Sequence, residues 1–420
     1  MDDMGFTSNG NALFIPDGAS VLAFDLRTRT LDRVSALPTT AAPTESATPT
    51  EGYTNDFGKA WRGFRSLMLL VARRCNLECI YCYASAAPSG PLMTEQIALD
   101  ATETYFADKP KKPNVIFHGG GEPTLNMPVI EAVCARSREL APTCTFGLTT
   151  NGTAPAHVFE WLMQQKFNIL LSWDGPPDVQ NRNRPFVGGK PSSDRLERTA
   201  ALLASRKYPF TVQTTITATT DVARTIGYFA KHSVPSIKLE PLFPHGRNYG
   251  TDEQPDVLPP TADDLVRVVI EALDACMVYG IEVKSTSFNI DGLPAWHGLT
   301  YCGNACGRTM VVTHEGHLTA CNEVADCADP LSKAFFFGGQ SNPGGPWTVD
   351  GNRLQPLLKR HVNALPDCSR CPARLSCGGG CAVKAVRSSG SLSGRDPINC
   401  EYLGKIIPIL IKRAAKNRNI

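Results

Sequence analysis

Arg74-Cys75-Asn76-Leu77-Glu78-Cys79-Ile80-Tyr81-Cys82-Tyr83 sets three cysteines at C-x3-C-x2-C spacing, with an aromatic residue just before the third. The apolar run Ser66-Leu67-Met68-Leu69-Leu70-Val71 precedes it and reads as a buried parallel strand. The cysteines therefore leave the carboxyl end of a strand on a short loop, where α/β barrels and open α/β sheets carry their chemistry. Three thiolates around a four-iron cluster leave one iron without a protein ligand, open to chelation by a small molecule. A zinc loop is the competing reading, although zinc usually takes four ligands in C-x2-C pairs.

Working outward, residues 61–245 alternate strand-like and helical runs. The strands expected are Ser66–Val71, Asn114–His118, Thr145–Thr150, Asn168–Trp173, Phe210–Thr217 and Ser236–Leu242, with helical windows at Thr94–Ala107, Met127–Leu140 and Ala156–Gln165. Such alternation predicts a parallel sheet with right-handed crossovers. Before it, residues 1–35 read as a β-hairpin turning at Pro16-Asp17-Gly18, with room for a third short strand, and 36–60 as a Pro/Thr/Ala/Ser-rich linker. Residues 246–300 bridge onward through a helix at Thr261–Gly280 whose face is Leu265, Val268, Val269, Ala272, Leu273 and Cys276. From 301 to 420 the chain is rich in Gly and Cys, with few long periodic runs. That region is expected to lack a large apolar core of its own and to depend on metals for order. A basic amphipathic helix is expected at Leu403–Lys416.

The formal charge of +2 is nearly balanced, which gives no sign of a nucleic-acid or membrane surface. No apolar run approaches the ~18 residues of a membrane span. Met1-Asp2-Asp3-Met4 lacks the basic and apolar parts of a secretory signal, so a cytoplasmic location is expected. In that setting fifteen cysteines read as metal ligands rather than disulfides.

Two further motifs follow the cysteine loop in order. His118-Gly119-Gly120-Gly121-Glu122-Pro123-Thr124 ends the second strand, where glycines permit close backbone approach and a carboxylate is positioned for an ammonium. Thr149-Thr150-Asn151-Gly152 and Ser172-Trp173-Asp174-Gly175 end the third and fourth strands, although both are also ordinary turn formers. Together these motifs resemble the radical S-adenosylmethionine (SAM) superfamily. The resemblance implies a partial (β/α)6 TIM-like barrel and a SAM-binding [4Fe-4S] cluster on Cys75, Cys79 and Cys82. It also implies SAM contacts from Tyr81, from Gly119, Gly120, Gly121 and Glu122 to the methionine amino group, and from Asn151, Ser172 and Asp174 to the ribose and carboxylate.

The later cysteines run Cys306-x9-Gly316-x4-Cys321, then Cys368-x2-Cys371-x5-Cys377-x3-Cys381 and Cys400. This pattern resembles the SPASM domain of a subset of radical SAM enzymes, with Cys302 as an eighth ligand. The resemblance implies two auxiliary [4Fe-4S] clusters, one on Cys302, Cys306, Cys321 and Cys381, the other on Cys368, Cys371, Cys377 and Cys400. Cys134, Cys144, Cys276 and Cys327 are left over. Cys134 and Cys276 lie in helical patterns and read as buried apolar residues, and Cys327 is held in reserve as a ligand.

As a member of that class, the protein is expected to cleave SAM reductively, to abstract a hydrogen from a peptide substrate and to draw electrons from a flavodoxin or ferredoxin. Two enzyme readings follow: a maturase that cross-links side chains of a ribosomally made peptide, or an anaerobic sulfatase-maturating enzyme making formylglycine. The second family carries an Asp after the cysteine equivalent to Cys321, where this chain has Asn322. An amide takes no proton at neutral pH, which favours cross-linking, with Glu323 as candidate base. A non-catalytic iron–sulfur or leader-binding protein is the third reading. The N-terminal hairpin is too short for a complete leader-recognition domain. On the sixth strand's rim Glu240 and His245 are candidates to contact substrate or SAM, the bland alternative being a Glu240 ion pair and a surface His245.

Overall fold

The computed structural model describes residues 4–35, 64–247, 257–284, 294 and 300–420. The linker expected at 36–60 and much of the bridge lie outside the described residues. The N-terminal residues form four strands, not a hairpin: β1 (Thr7–Asn9), β2 (Ala12–Asp17), β3 (Ser20–Asp25) and β4 (Leu31–Val34) pair antiparallel in sequence order. Leu13, Ile15, Leu22 and Phe24 are buried, and β2 and β3 pack on the helix Pro397–Arg418. The apolar face that would leave a free hairpin marginal in water is thus covered by the chain's own last helix.

The main sheet is built on β5 (Ser66–Leu70), β6 (Asn114–His118), β7 (Thr145–Thr150), β8 (Phe167–Ser172), β9 (Phe210–Ile216) and β10 (Ser236–Pro241). Each pairs parallel with the next, so all six carboxyl ends open on one rim. Residues such as Leu67, Leu69, Val115, Phe117, Phe146 and Leu148 are buried, as β-rich runs under crossover helices require. The array is longer than six strands: β11 (Glu282–Lys284) adds parallel to β10, and β12 (Thr309–Val312) adds parallel to β5 on the other side.

The helices follow local signals. Thr94 caps Glu95–Ala107 by accepting from the Ile97 amide, and Thr261 with Asp264 makes a full capping box for Ala262–Tyr279. That helix stops at Gly280, whose φ of 68° suits only a residue without a Cβ penalty. Its Leu265, Val268, Ala272 and Cys276 are buried, and Cys134 and Cys144 are buried as well.

Beyond residue 301 the expectation of a region without an apolar core is corrected. β12 carries the chain into the barrel sheet, and β13 (His317–Thr319), β14 (Phe336–Gln340) and β15 (Trp347–Val349) extend it antiparallel. Met310, Val312, Phe335, Phe337 and Leu354 join the same continuous core as the barrel residues. The long-range pairing of β12 with β5 has no short-range signature, so periodicity does not reveal it.

Candidate active site

The loop bearing Cys75, Cys79 and Cys82 is held on two sides by backbone hydrogen bonds. On one, Arg73 N donates to Pro91 O (2.8 Å) and Cys75 N to Ala87 O (3.1 Å); on the other, Glu78 N donates to Pro185 O (2.8 Å) and Ile80 N to Asn183 O (3.0 Å). Burial pushes the Cys75 thiol up to about 12, with neighbouring Cys79 and Glu122 adding to it, and burial likewise pushes Cys79 to about 12. Three thiols brought together on one short loop form a donor set that a metal ion would deprotonate and hold.

The glycine motif is held against this loop. Gly121 N donates to Ala72 O (2.9 Å) and Glu122 N to Arg74 O (2.8 Å). A Cβ on Gly121 would lie 2.1 Å from Arg74 O, and one on Gly120 would lie 2.5 Å from Arg73 Nη1. Gly121 is therefore demanded by the backbone of the cysteine loop itself, whereas at Gly120 only the flexible Arg73 side chain would have to move. Gly121→Ala is expected to displace that loop, lowering iron by about four per chain; iron analysis with an assay of SAM cleavage checks this.

Glu122 is buried, and its carboxylate accepts four hydrogen bonds, three on Oε1 and one on Oε2. Oε1 accepts from Thr124 N (3.1 Å), Thr124 Oγ1 (2.6 Å) and Thr150 Oγ1 (2.6 Å), and Oε2 from Asn151 N (2.7 Å). With about four acceptor sites on a carboxylate, it ties the end of β6 to the end of β7. Asn151 turns its amide toward the cysteine loop, donating to Asn76 Oδ1 (2.8 Å) with Cys75 Sγ 3.9 Å away. Ser172 ends β8 opposite Gln213.

Asp174 lies in a buried network that spacing does not reveal. Its Oδ1 accepts from Arg184 Nη2 (3.1 Å) and Thr215 N (3.1 Å), and its Oδ2 from Asn183 Nδ2 (3.1 Å) and the Tyr81 hydroxyl. The Arg184 guanidinium also lies over the Tyr81 ring, 5.3 Å from its centroid. Removing one partner of a buried pair leaves the other charge uncompensated, so Arg184 fixes both Asp174 and Tyr81. Gly246 is a second residue without a sequence signal. Its φ is 94°, and a Cβ there would lie 2.5 Å from Cys82 O.

Among the eight later cysteines, the pKa-raising effects of one on another run within two sets, Cys302, Cys306, Cys321 and Cys381 in one and Cys368, Cys371, Cys377 and Cys400 in the other. Burial raises Cys321 first, and Cys381 and Cys302 are among the charges that raise it further; Cys306 acts in the same way on Cys302. Cys377 is pushed to about 12 by burial and then by Cys400, Cys368 and Cys371. Arg360 lies between the groups, donating to Gly379 O (2.8 Å) and Gly394 O (3.1 Å); burial depresses its pKa, and Cys368, Cys381, Cys377 and Cys302 oppose that. Residues 360–381 are mostly turns, whereas β12–β15 are sheet. Limited proteolysis of metal-stripped protein is therefore expected to cut first between 360 and 400 and to spare 309–349, as peptide mapping will report.

Between the first group and the barrel rim the structure brings Glu323 and His245 together. His245 Nε2 lies 3.8 Å from Glu323 Oε2, and none of these ring nitrogens or that oxygen has a hydrogen-bond partner. The surface placement entertained for His245 is thus wrong, because Tyr83 and Phe243 cover its ring. Burial depresses its pKa to about 4, with Arg387 adding to this, so the ring is neutral near pH 7. Burial raises the Glu323 pKa, and Lys384 partly offsets it. Glu240 does make the ion pairs of the bland alternative, with Lys238 (3.2 Å) and Lys384 (3.9 Å). Burial works against the charge on Lys384, but Glu240 and Glu323 more than offset it. Asn322 accepts from Asn304 Nδ2 (3.1 Å). A cavity lined by Leu239, Glu240, Phe243, Lys384, Ile398 and Tyr402 adjoins this cluster.

Residues 69–222 match the radical SAM superfamily. A cysteine-type anaerobic sulfatase-maturating enzyme of Clostridium perfringens is 22% identical over 342 residues, 73% of this chain and 85% of the relative. An uncharacterised protein of Methanocaldococcus jannaschii is 28% identical over 196 residues, 45% of this chain and 66% of its own length. Among solved structures, native anSMEcpe with bound AdoMet aligns over 84% of this chain and 99% of its own, with TM-score 0.66 and 21% identity. Streptococcus suis SuiB bound to precursor peptide SuiA aligns over 94% and 99%, with TM-score 0.58 and 12% identity. The structural likenesses are likenesses of fold. No helix among the described residues is long and apolar enough to cross a membrane.

Proposed function

Because this chain carries a radical SAM domain in residues 69–222, we propose that it is a peptide maturase that removes two hydrogens from its substrate and joins two side chains. The donor sets suit the groups this requires: three half-buried thiols on one loop beside a glycine turn, and two sets of four later cysteines. On this reading Cys75, Cys79 and Cys82 hold the SAM-binding cluster. Cys302, Cys306, Cys321 and Cys381 would hold one auxiliary cluster, and Cys368, Cys371, Cys377 and Cys400 the other. When bound, SAM and its cluster supply a carbon radical that abstracts hydrogen, and the auxiliary clusters supply electron acceptors.

The chain's own residues orient and deprotonate. Tyr81, held by Asp174 and Arg184, walls the SAM site, and the backbone of Gly119, Gly120 and Gly121 faces the amino group while Glu122 keeps that turn in place. Closing a cross-link after hydrogen-atom abstraction removes one proton and one electron more. Glu323 takes the proton, since its Oε2 is buried and unpartnered beside the neutral His245 ring. That orphan carboxylate oxygen is the observation carrying the reading. Asn322, already bonded to Asn304, cannot serve.

A second reading, formylglycine formation, draws on the relative from Clostridium perfringens. Mass spectrometry of a short peptide encoded beside the gene and co-expressed with the protein separates the two. A loss of two hydrogens without reaction toward a hydrazide supports cross-linking, and a hydrazide-reactive aldehyde supports formylglycine. An external electron donor of the flavodoxin or ferredoxin type belongs to either reading.

A further inference from the structure

We propose that Glu315, His317 and Cys327 form a zinc site separate from both cysteine groups. Cys327 Sγ lies 3.2 Å from His317 Nε2 and 3.6 Å from Glu315 Oε2, and His317 Nε2 lies 3.7 Å from the same oxygen. A tetrahedral zinc with bonds of about 2.3 Å to sulfur and about 2.0–2.2 Å to nitrogen and oxygen separates its ligand atoms by about 3.3–3.6 Å. The three distances fall around that value, so an ion fits with small adjustments. Thiolate, imidazole and carboxylate together suit zinc better than a hard cation.

The donors are held by structure that does not depend on the ion. His317 opens β13, its amide donates to Thr313 Oγ1 (3.1 Å), and its ring stacks on Phe336 at 5.2 Å. Glu315 stands in the tight turn closed by Gly316 N to Thr313 O (2.9 Å), with His314 Nε2 3.9 Å from its other oxygen. Cys327 O accepts from Ser332 Oγ (3.1 Å). Three protein ligands leave a fourth position for water, and His317 and Cys327 line a surface pocket together with Lys333, Asp350 and Arg353.

The site clamps the loop after Cys321 onto β13. The same loop carries Asp326, whose carboxylate pairs with Arg73 (3.2 Å), the residue whose guanidinium lies against Gly120. The clamp therefore supports the wall of the SAM site from outside, and Cys327 is a zinc ligand rather than a reserve cluster ligand.

The test uses cluster-replete protein incubated with zinc chloride and passed over a weak chelator. Wild type is expected to retain about one zinc per chain more than Cys327→Ser and His317→Gln, with iron equal in all three. X-ray absorption at the zinc edge is expected to show one sulfur near 2.3 Å among nitrogen and oxygen neighbours. Equal zinc in wild type and variants, or a zinc with three or four sulfur neighbours, overturns the proposal, because the ion would then occupy the other cysteines.

Discussion

Replacing Cys75, Cys79 and Cys82 together by Ala is expected to lower iron from about twelve to about eight per chain and to reduce SAM cleavage to background. The effect is confined because the loop is held by bonds from 87–93 and 183–187 that do not need the sulfurs. The auxiliary groups sit on other elements, around Cys321 and Cys377. The triple variant should therefore keep its fold and eight of its irons while losing its chemistry entirely. Iron near four per chain in the unmutated protein would refute the two auxiliary clusters. Loss of all iron in the variant would show that the three sites assemble as one unit.

Glu323→Gln separates hydrogen abstraction from product closure. The variant is expected to cleave SAM at the wild-type rate and to exchange hydrogen with its peptide, while cross-linked product falls by about 10²–10⁴-fold, the usual worth of a positioned base. Gln preserves volume, so the Cys321 turn stays packed. Burial raises the Glu323 pKa, so the base is charged only above that raised value. Wild-type product yield should thus climb as pH rises through it, and the variant should lack that limb. Unchanged yield removes Glu323 from the mechanism. Loss of SAM cleavage would mean its role is to hold the rim in place.

Much of the barrel was legible because its signals are local. Strands β6 and β7 and the helix Met127–Leu140 match their expected bounds, and Thr94, Thr261 and Gly280, the expected ends of their helical windows, stand as caps. What escaped depends on contacts far apart in sequence. The seat of β12 beside β5 joins residues some 240 positions apart, and a four-residue strand such as Thr309–Val312 carries too short a pattern to announce it. Within the site, cysteine spacing marked out the chain's candidate metal ligands, and their division between two clusters came from the resemblance to the SPASM domain and stands as a proposal. Arg184, Arg360 and Gly246 carry no such mark: each acts through a distant backbone or charge, Arg184 on Asp174, Arg360 on Gly379, Gly246 against Cys82. The surface placement weighed for His245 as the bland alternative fails because Tyr83 and Phe243 partly cover its ring, contacts no local signal announces.

The central claim is that the Cys75–Cys82 loop, with the ends of β6, β7 and β8, forms a site that cleaves SAM. Its most direct test is reconstituted wild-type protein, reduced with dithionite without oxygen and given SAM, with 5′-deoxyadenosine and methionine measured by liquid chromatography. The account predicts equal amounts of the two products, accumulating to at least about one per chain, since one SAM binds one open iron. Recovery of SAM intact from protein carrying its full iron would contradict it.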